Sequence, residues 1–166
     1  MTTSLSKLGY IPDVCPGCKQ SCTYVVGLDR GSVVIMKAIA RFIQIKGINV
    51  VHPRKELEGT YLTSNQVGNL SRPRMHGLIA HYKVAGERKA GNYVLTSKGA
   101  AFLKGEPIPK YAIISKAEGH QVGYHNPEVL TCRISDFNDP DEPMWEGIGY
   151  DIVDGQIIQN NQGTLL

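Results

Sequence analysis

Four cysteines carry the most specific chemistry in the chain: Cys15, Cys18, Cys22 and Cys132. The first three fall in the run Cys15-Pro16-Gly17-Cys18-Lys19-Gln20-Ser21-Cys22. A two-residue gap between cysteines gives two thiolates the bite of a tetrahedral metal site. It also makes a redox pair, where it opens a helix in a βαβ setting. The flanks here, Ile11-Pro12 and Tyr24-Val25-Val26, read as strand and not as helix. Gly17 suits the backbone of a metal knuckle, although Lys19 stands where such knuckles often carry glycine. The expectation is structural zinc on Cys15, Cys18, Cys22 and Cys132, with His120 or His125 as substitutes for the last. Such a site would clip the N-terminus to the C-terminal segment. Small buried or free thiols are the plain alternative.

Charge gives the second clue. The net charge is +3 over 166 residues. Residues 1–110 carry 16 Lys/Arg and 6 Asp/Glu, or +10, and residues 111–166 carry 2 and 9, or −7. That asymmetry predicts a basic working surface and an acidic tail. No apolar run is long enough to span a membrane. The first ten residues lack a basic patch followed by an apolar stretch, so no secretory leader is expected and a cytoplasmic location is.

Around these residues the pattern predicts a series of elements. A short strand is expected near Thr23–Gly27. A helix should run from Ser32 to Lys46, capped by Ser32 and ended by Gly47, burying Ile35, Ile39, Phe42 and Ile45. Pro53 opens a short helix stopped by Gly59. A third helix should run from about Asn65 to Met75, broken or bent near Arg72 by Pro73. Leu78–Val84 and Asn92–Thr96 form a hairpin with a basic tip over residues 85–91. Ser97 caps a helix over Lys98–Lys104. Tyr111–Ile114 and Val129–Ile134 read as strands, and His120 and His125 flank a turn at Gly123-Tyr124.

Helix, helix, helix, hairpin, helix is the order of a winged helix-turn-helix. The residues Gly77-Leu78-Ile79, Glu87-Arg88-Lys89 and Leu95-Thr96-Ser97-Lys98-Gly99 resemble the wing of MarR-type regulators. The run from Asn69 to Ile79, with Phe102-Leu103-Lys104-Gly105-Glu106, is similar to uncharacterised phage and mobile-element proteins that join one cysteine knuckle to one winged helix. The chain departs from that pattern at Leu70 and Pro73-Arg74-Met75-His76. The resemblance implies an α+β fold, a winged helix-turn-helix with an N-terminal CxxC knuckle and a C-terminal β segment with acidic tail. The parts would be residues 1–30, 31–110 and 111–166.

In such a module the third helix reads the major groove and the wing meets the backbone or minor groove. Asn65, Gln66, Asn69, Arg72 and Arg74 are the expected reading residues, since Asn and Gln pair with adenine and Arg with guanine. Arg88 and Lys89 are the expected wing contacts. The expected function is duplex-DNA binding by a phage-encoded regulatory factor, working in the host cytoplasm. The alternative is an accessory protein that binds and inhibits a host or defence protein, such as a CRISPR component, without touching DNA. For that role Trp145, flanked by Asp141 and Glu142, is the expected docking anchor. Two further readings of the tail are a solubilising segment and a cover over the basic face. No phosphate-binding glycine motif, nucleophile elbow or helical metal-protease motif is present, so no enzyme is expected.

Overall fold

The computed structural model describes residues 9–159. It is a mixed α+β structure with one long helix, four short ones and several small antiparallel sheets among the described residues. Strand β1 spans Thr23–Gly27, and helix α1 spans Arg30–Lys46. The α1 cap is Asp29, not Ser32. Its Oδ1 accepts from the Ser32 amide at 2.9 Å and the Ser32 hydroxyl at 2.7 Å, so the helix starts two residues earlier than expected. Gly47 ends it at φ 72°, donating to Ile43 at 2.8 Å.

Ile35, Ile39 and Phe42 face the core as the period predicts, joined by Val33, Met36 and Ile43. Ile45 does not, being 67% exposed. It lies in the last turn, past the end of the packed face.

Helix α2 (Pro53–Glu56) begins on its proline, with the His52 ring accepting from the Lys55 amide and the Glu56 carboxylate accepting from the His52 amide. The expected third helix is two short ones, α3 (Ser64–Val67) and α4 (Ser71–Met75). The break falls before Ser71, earlier than Arg72. Pro73 is thereby in the first turn of α4, where no partner for its missing N–H is required. It is buried rather than obstructive. A capping box at Thr63 and Gln66 starts α3.

Strands β2 (Ile79–Val84) and β3 (Glu87–Leu95) form a hairpin. Its loop is only Ala85-Gly86, at φ 52° and 83°, so the expected seven-residue tip is mostly strand. Val51 bridges to Tyr93 through bonds of 2.9 and 2.8 Å, which ties the segment before α2 to the hairpin. Helix α5 is Ser97–Leu103, capped by Thr96 and not by Ser97.

Beyond α5 lie β4 (Ile108–Pro109), β5 (Tyr111–Ser115), β6 (Gln121–Tyr124) and β7 (Thr131–Cys132). A 3₁₀ turn follows at Ile134–Phe137, then β8 (Tyr150–Val153) and β9 (Gln156–Gln159). The turn expected at Gly123-Tyr124 is strand β6, and the strand expected over residues 129–134 contracts to β7. β1 pairs along its whole length with β5, which pairs with β6.

The acidic C-terminal part is packed over the described residues, to Gln159. Tyr150 and Ile152 enter the main core, 2% and 3% exposed. The Tyr150 hydroxyl donates to Ala40 O at 2.9 Å, and Ser97 Oγ donates to Ile152 O at 2.6 Å. Asp139 pairs with Arg30 at 3.4 Å, and Asp151 pairs with Lys104. The acids therefore hold the segment to α1 and α5. No helix is long and apolar enough to cross a membrane among the described residues.

Candidate functional site

The expected reading residues fall on α3, α4 and the turn between them, but not all of them are available. Asn65 and Asn69 are exposed, with Asn69 Nδ2 donating to Asn65 O at 3.2 Å. Gln66 is committed to its capping box, accepting the Thr63 amide at 2.8 Å. Arg72 turns toward the protein. Its Nη1 donates to Gly27 O at 2.8 Å, and its Nε lies 3.4 Å from Asp29. This clamp joins α4 to the β1–α1 junction, and it removes Arg72 from the set free to meet a base.

Arg74 is half-buried, and Lys83, Arg88 and Lys89 are exposed on the hairpin. The register sets Lys83 directly opposite Arg88. Like charges in that position repel. Neither has a carboxylate partner among the ion pairs of the described residues. His81 stands beside them, its ring 5.0 Å from the cross-strand Tyr93 ring. Its pKa is lowered by burial first, then by Arg88, Arg74 and Lys83. Cations of α4 and of both hairpin strands thus act on one imidazole. Sequence reasoning missed His81; its spacing from Lys83 in a predicted strand was the available signal.

Gly91 lets the hairpin lie close against the ring of His52, the cap of α2. It sits at φ 79°, and a Cβ there would fall 2.4 Å from His52 Nε2. The register shift between His81 and Lys83 accompanies this irregular stretch.

The cysteines separate into two environments. In the loop before β1 the Cys15 thiol is held below its usual range, first by the amides of Cys18 and Gly17 and then by the Cys18 thiol. Lys19 occupies the left-handed region at φ 65°. Cys22 is shifted upward, by desolvation first and then by the neighbouring Cys15 and Cys18. Cys132 is instead in the hydrophobic core on β7, 3% exposed, with burial raising its pKa to about 11. The four cysteines are not brought together. Among the described residues no three His, Cys, Asp or Glu side chains stand in a metal-holding arrangement.

No family model, curated protein or solved structure matches this chain. Its site is therefore read from its own geometry.

Trp145 lines an open groove of about 610 Å³ together with Lys37, Arg41 and Tyr61. The indole N–H donates inward, to Leu103 O at 2.7 Å, and Lys37 Nζ lies 5.6 Å from the ring centroid. The ring thus anchors residues 142–147 to α5 and α1. Asp141 and Glu142 are exposed beside it. His120 pairs with Glu118 at 3.0 Å, and His125 packs edge-on to Tyr10 at 5.6 Å.

Proposed function

We propose that the protein binds duplex DNA, with the β2–β3 hairpin serving as the wing of a winged helix-turn-helix and the α3–α4 segment as its reading helix. The observation that carries this is the Lys83–Arg88 cross-strand pair. A hairpin that sets two cations opposite each other with no carboxylate to bridge them loses stability. A phosphate between them reverses the sign of that term. The order of elements and the Val51–Tyr93 bridge support the wing.

Asn65 and Asn69 are the residues left to read bases, Arg74, Arg88 and Lys89 contact the backbone, and Arg72 and Gln66 serve as struts. In this reading the protein is a phage-type regulatory factor of the cytoplasm and not an enzyme. The test is fluorescence anisotropy with a labelled duplex of about 20 base pairs at low salt. Neutralising about four phosphates gives a log–log salt slope of about −4. Arg88→Gln should flatten it by about one, and Arg72→Gln should leave it unchanged. No duplex binding at low salt overturns the reading.

The loop Cys15–Cys22 supports a second part of the proposal, a structural zinc ion. The backbone of Cys18 and Gly17 favours the Cys15 thiolate, and Lys19 takes a positive φ of 65° in the turn. Cys15, Cys18 and Cys22 share one loop and would hold the ion only once their thiolates converge on it, whereas Cys132 lies apart in the core. Zinc there would lock the loop that precedes β1. Native mass spectrometry should show one zinc per chain, lost in Cys18→Ser and retained in Cys132→Ala.

A further inference from the structure

The imidazole of His81 has no part in the fold's hydrogen bonding among the described residues. Its Nδ1 is buried without a partner. Nε2 is not closed off in that way. The cheaper neutral tautomer leaves Nδ1 bare and puts the proton on Nε2. On one side the ring packs on Tyr93 of β3. Lys83 lies two residues along β2 from His81 and directly opposite Arg88 of β3; these two and Arg74 of α4 act on the ring, and no carboxylate does. A histidine held among three cations, with one donor facing out, is matched to a single negative group. It has nothing to hold until that group arrives.

We propose that His81, Arg74, Lys83 and Arg88 form a phosphate pocket, in which His81 Nε2 donates to one backbone phosphate of the bound nucleic acid. This rests on the nucleic-acid reading above and adds to it a residue and a proton. In the free protein burial first, and then the cations, disfavour the charged ring. A bound phosphate offsets them, so the ring gains a proton more readily in the complex than in the free protein. Binding is then coupled to proton uptake. The sign follows: affinity is highest at low pH and falls as pH rises through the pKa that His81 has in the complex.

The experiment measures duplex affinity by anisotropy from pH 5.5 to 7.5 at fixed low salt. Wild type should bind about threefold to tenfold tighter at the acidic end, one linked proton allowing at most about tenfold per pH unit. His81→Gln should be flat. His52→Gln, which removes the half-buried imidazole at the start of α2, should keep the wild-type slope. A second readout is the ring-carbon NMR shift of His81. It should titrate below the ordinary histidine range in the free protein, higher in Arg88→Gln, and higher again in wild type with duplex. A merely structural histidine would not move in that order. Duplex binding with the same pH profile in wild type and His81→Gln overturns the pocket alone. Absence of binding at every pH overturns the nucleic-acid reading, and the pocket with it.

Discussion

His76 is fully enclosed, at 0% exposure, and neither ring nitrogen has a hydrogen-bond partner. Burial is the main reason its pKa falls from 6.5 to about 4, and Lys98 and Arg72 add to it. The Gly27 carbonyl and Asp29 pull the other way, more weakly. In the unfolded chain the ring charges near pH 6.5, while in the folded protein it stays neutral to about pH 4. Between those values the unfolded state holds more protons, so stability rises with pH across the window and is lost on acidification. The full effect is up to about 3 kcal/mol. Urea unfolding at pH 7 and pH 4.5 should show wild type losing more stability than His76→Leu on acidification. Equal losses would show that His76 charges freely in the native state. The same crowding half-buries Lys98, whose ammonium lies 3.9 Å from the Tyr124 ring centroid and has its pKa lowered by burial to about 8. Around His76 burial penalises charge, enough to keep the imidazole neutral at pH 7 and to lower the Lys98 pKa to about 8.

At the scale of elements, Gly99 decides how α5 docks. A Cβ there would stand 2.1 Å from Leu78 O, so the helix backbone lies directly on the chain entering β2. Thr96 braces the same junction, its hydroxyl donating to Gly77 O at 2.6 Å and its oxygen capping Gly99 N at 3.0 Å. Gly99→Ala must push α5 away, and we expect a loss of about 2–3 kcal/mol, read as a lower denaturant midpoint with an unchanged slope. Thr96→Ala should cost about 1 kcal/mol. The Leu-Thr-Ser-Lys-Gly run was legible in sequence as a helix start, but its capping residue was misplaced by one. Helix α1 was legible because Ile35, Ile39 and Phe42 repeat at its period. Its true start was not, because Ser32 and Asp29 are both good capping residues and only geometry chooses between them. The hairpin was legible from its two β-rich runs. Its loop was not, because Ala85 in the left-handed region is a choice sequence rules disfavour. The commitments of Arg72 and Gln66 were hidden for another reason. Both are exposed polar types by composition, and what removes them from the reading surface is a partner elsewhere, at Gly27, Asp29 or Thr63.

At the scale of the molecule, the +10 and −7 halves are not separate bodies. The strand before α1 pairs with the strand that opens the acidic half. Asp139 and Asp151 reach back to cations of the basic half. The sequence showed the acids as a run without bases, which is also how a solubilising tail reads. Long-range contacts made by Trp145, Tyr150 and Ile152 distinguish the two, and no local pattern encodes them. A chain ending at Asn138 tests which description holds. It loses the burial of Tyr150 and Ile152, each about 1.5–3 kcal/mol, along with the Trp145 and Tyr150 hydrogen bonds at about 1 kcal/mol each. Together these are a large share of the roughly 5–15 kcal/mol that stabilises an ordinary domain. We expect the truncated chain to melt at least about 10 °C lower or to lose its cooperative transition, followed by circular dichroism. A tail serving only solubility would leave the transition in place and make the protein precipitate instead. Trp145→Phe separates the anchor from the charge: it keeps every acid and most of the apolar area, and it removes the donor to Leu103. A drop of about 1 kcal/mol in that variant would assign Trp145 to holding the chain's two halves together. An unchanged stability would leave the exposed face of its ring as the reason for a tryptophan there.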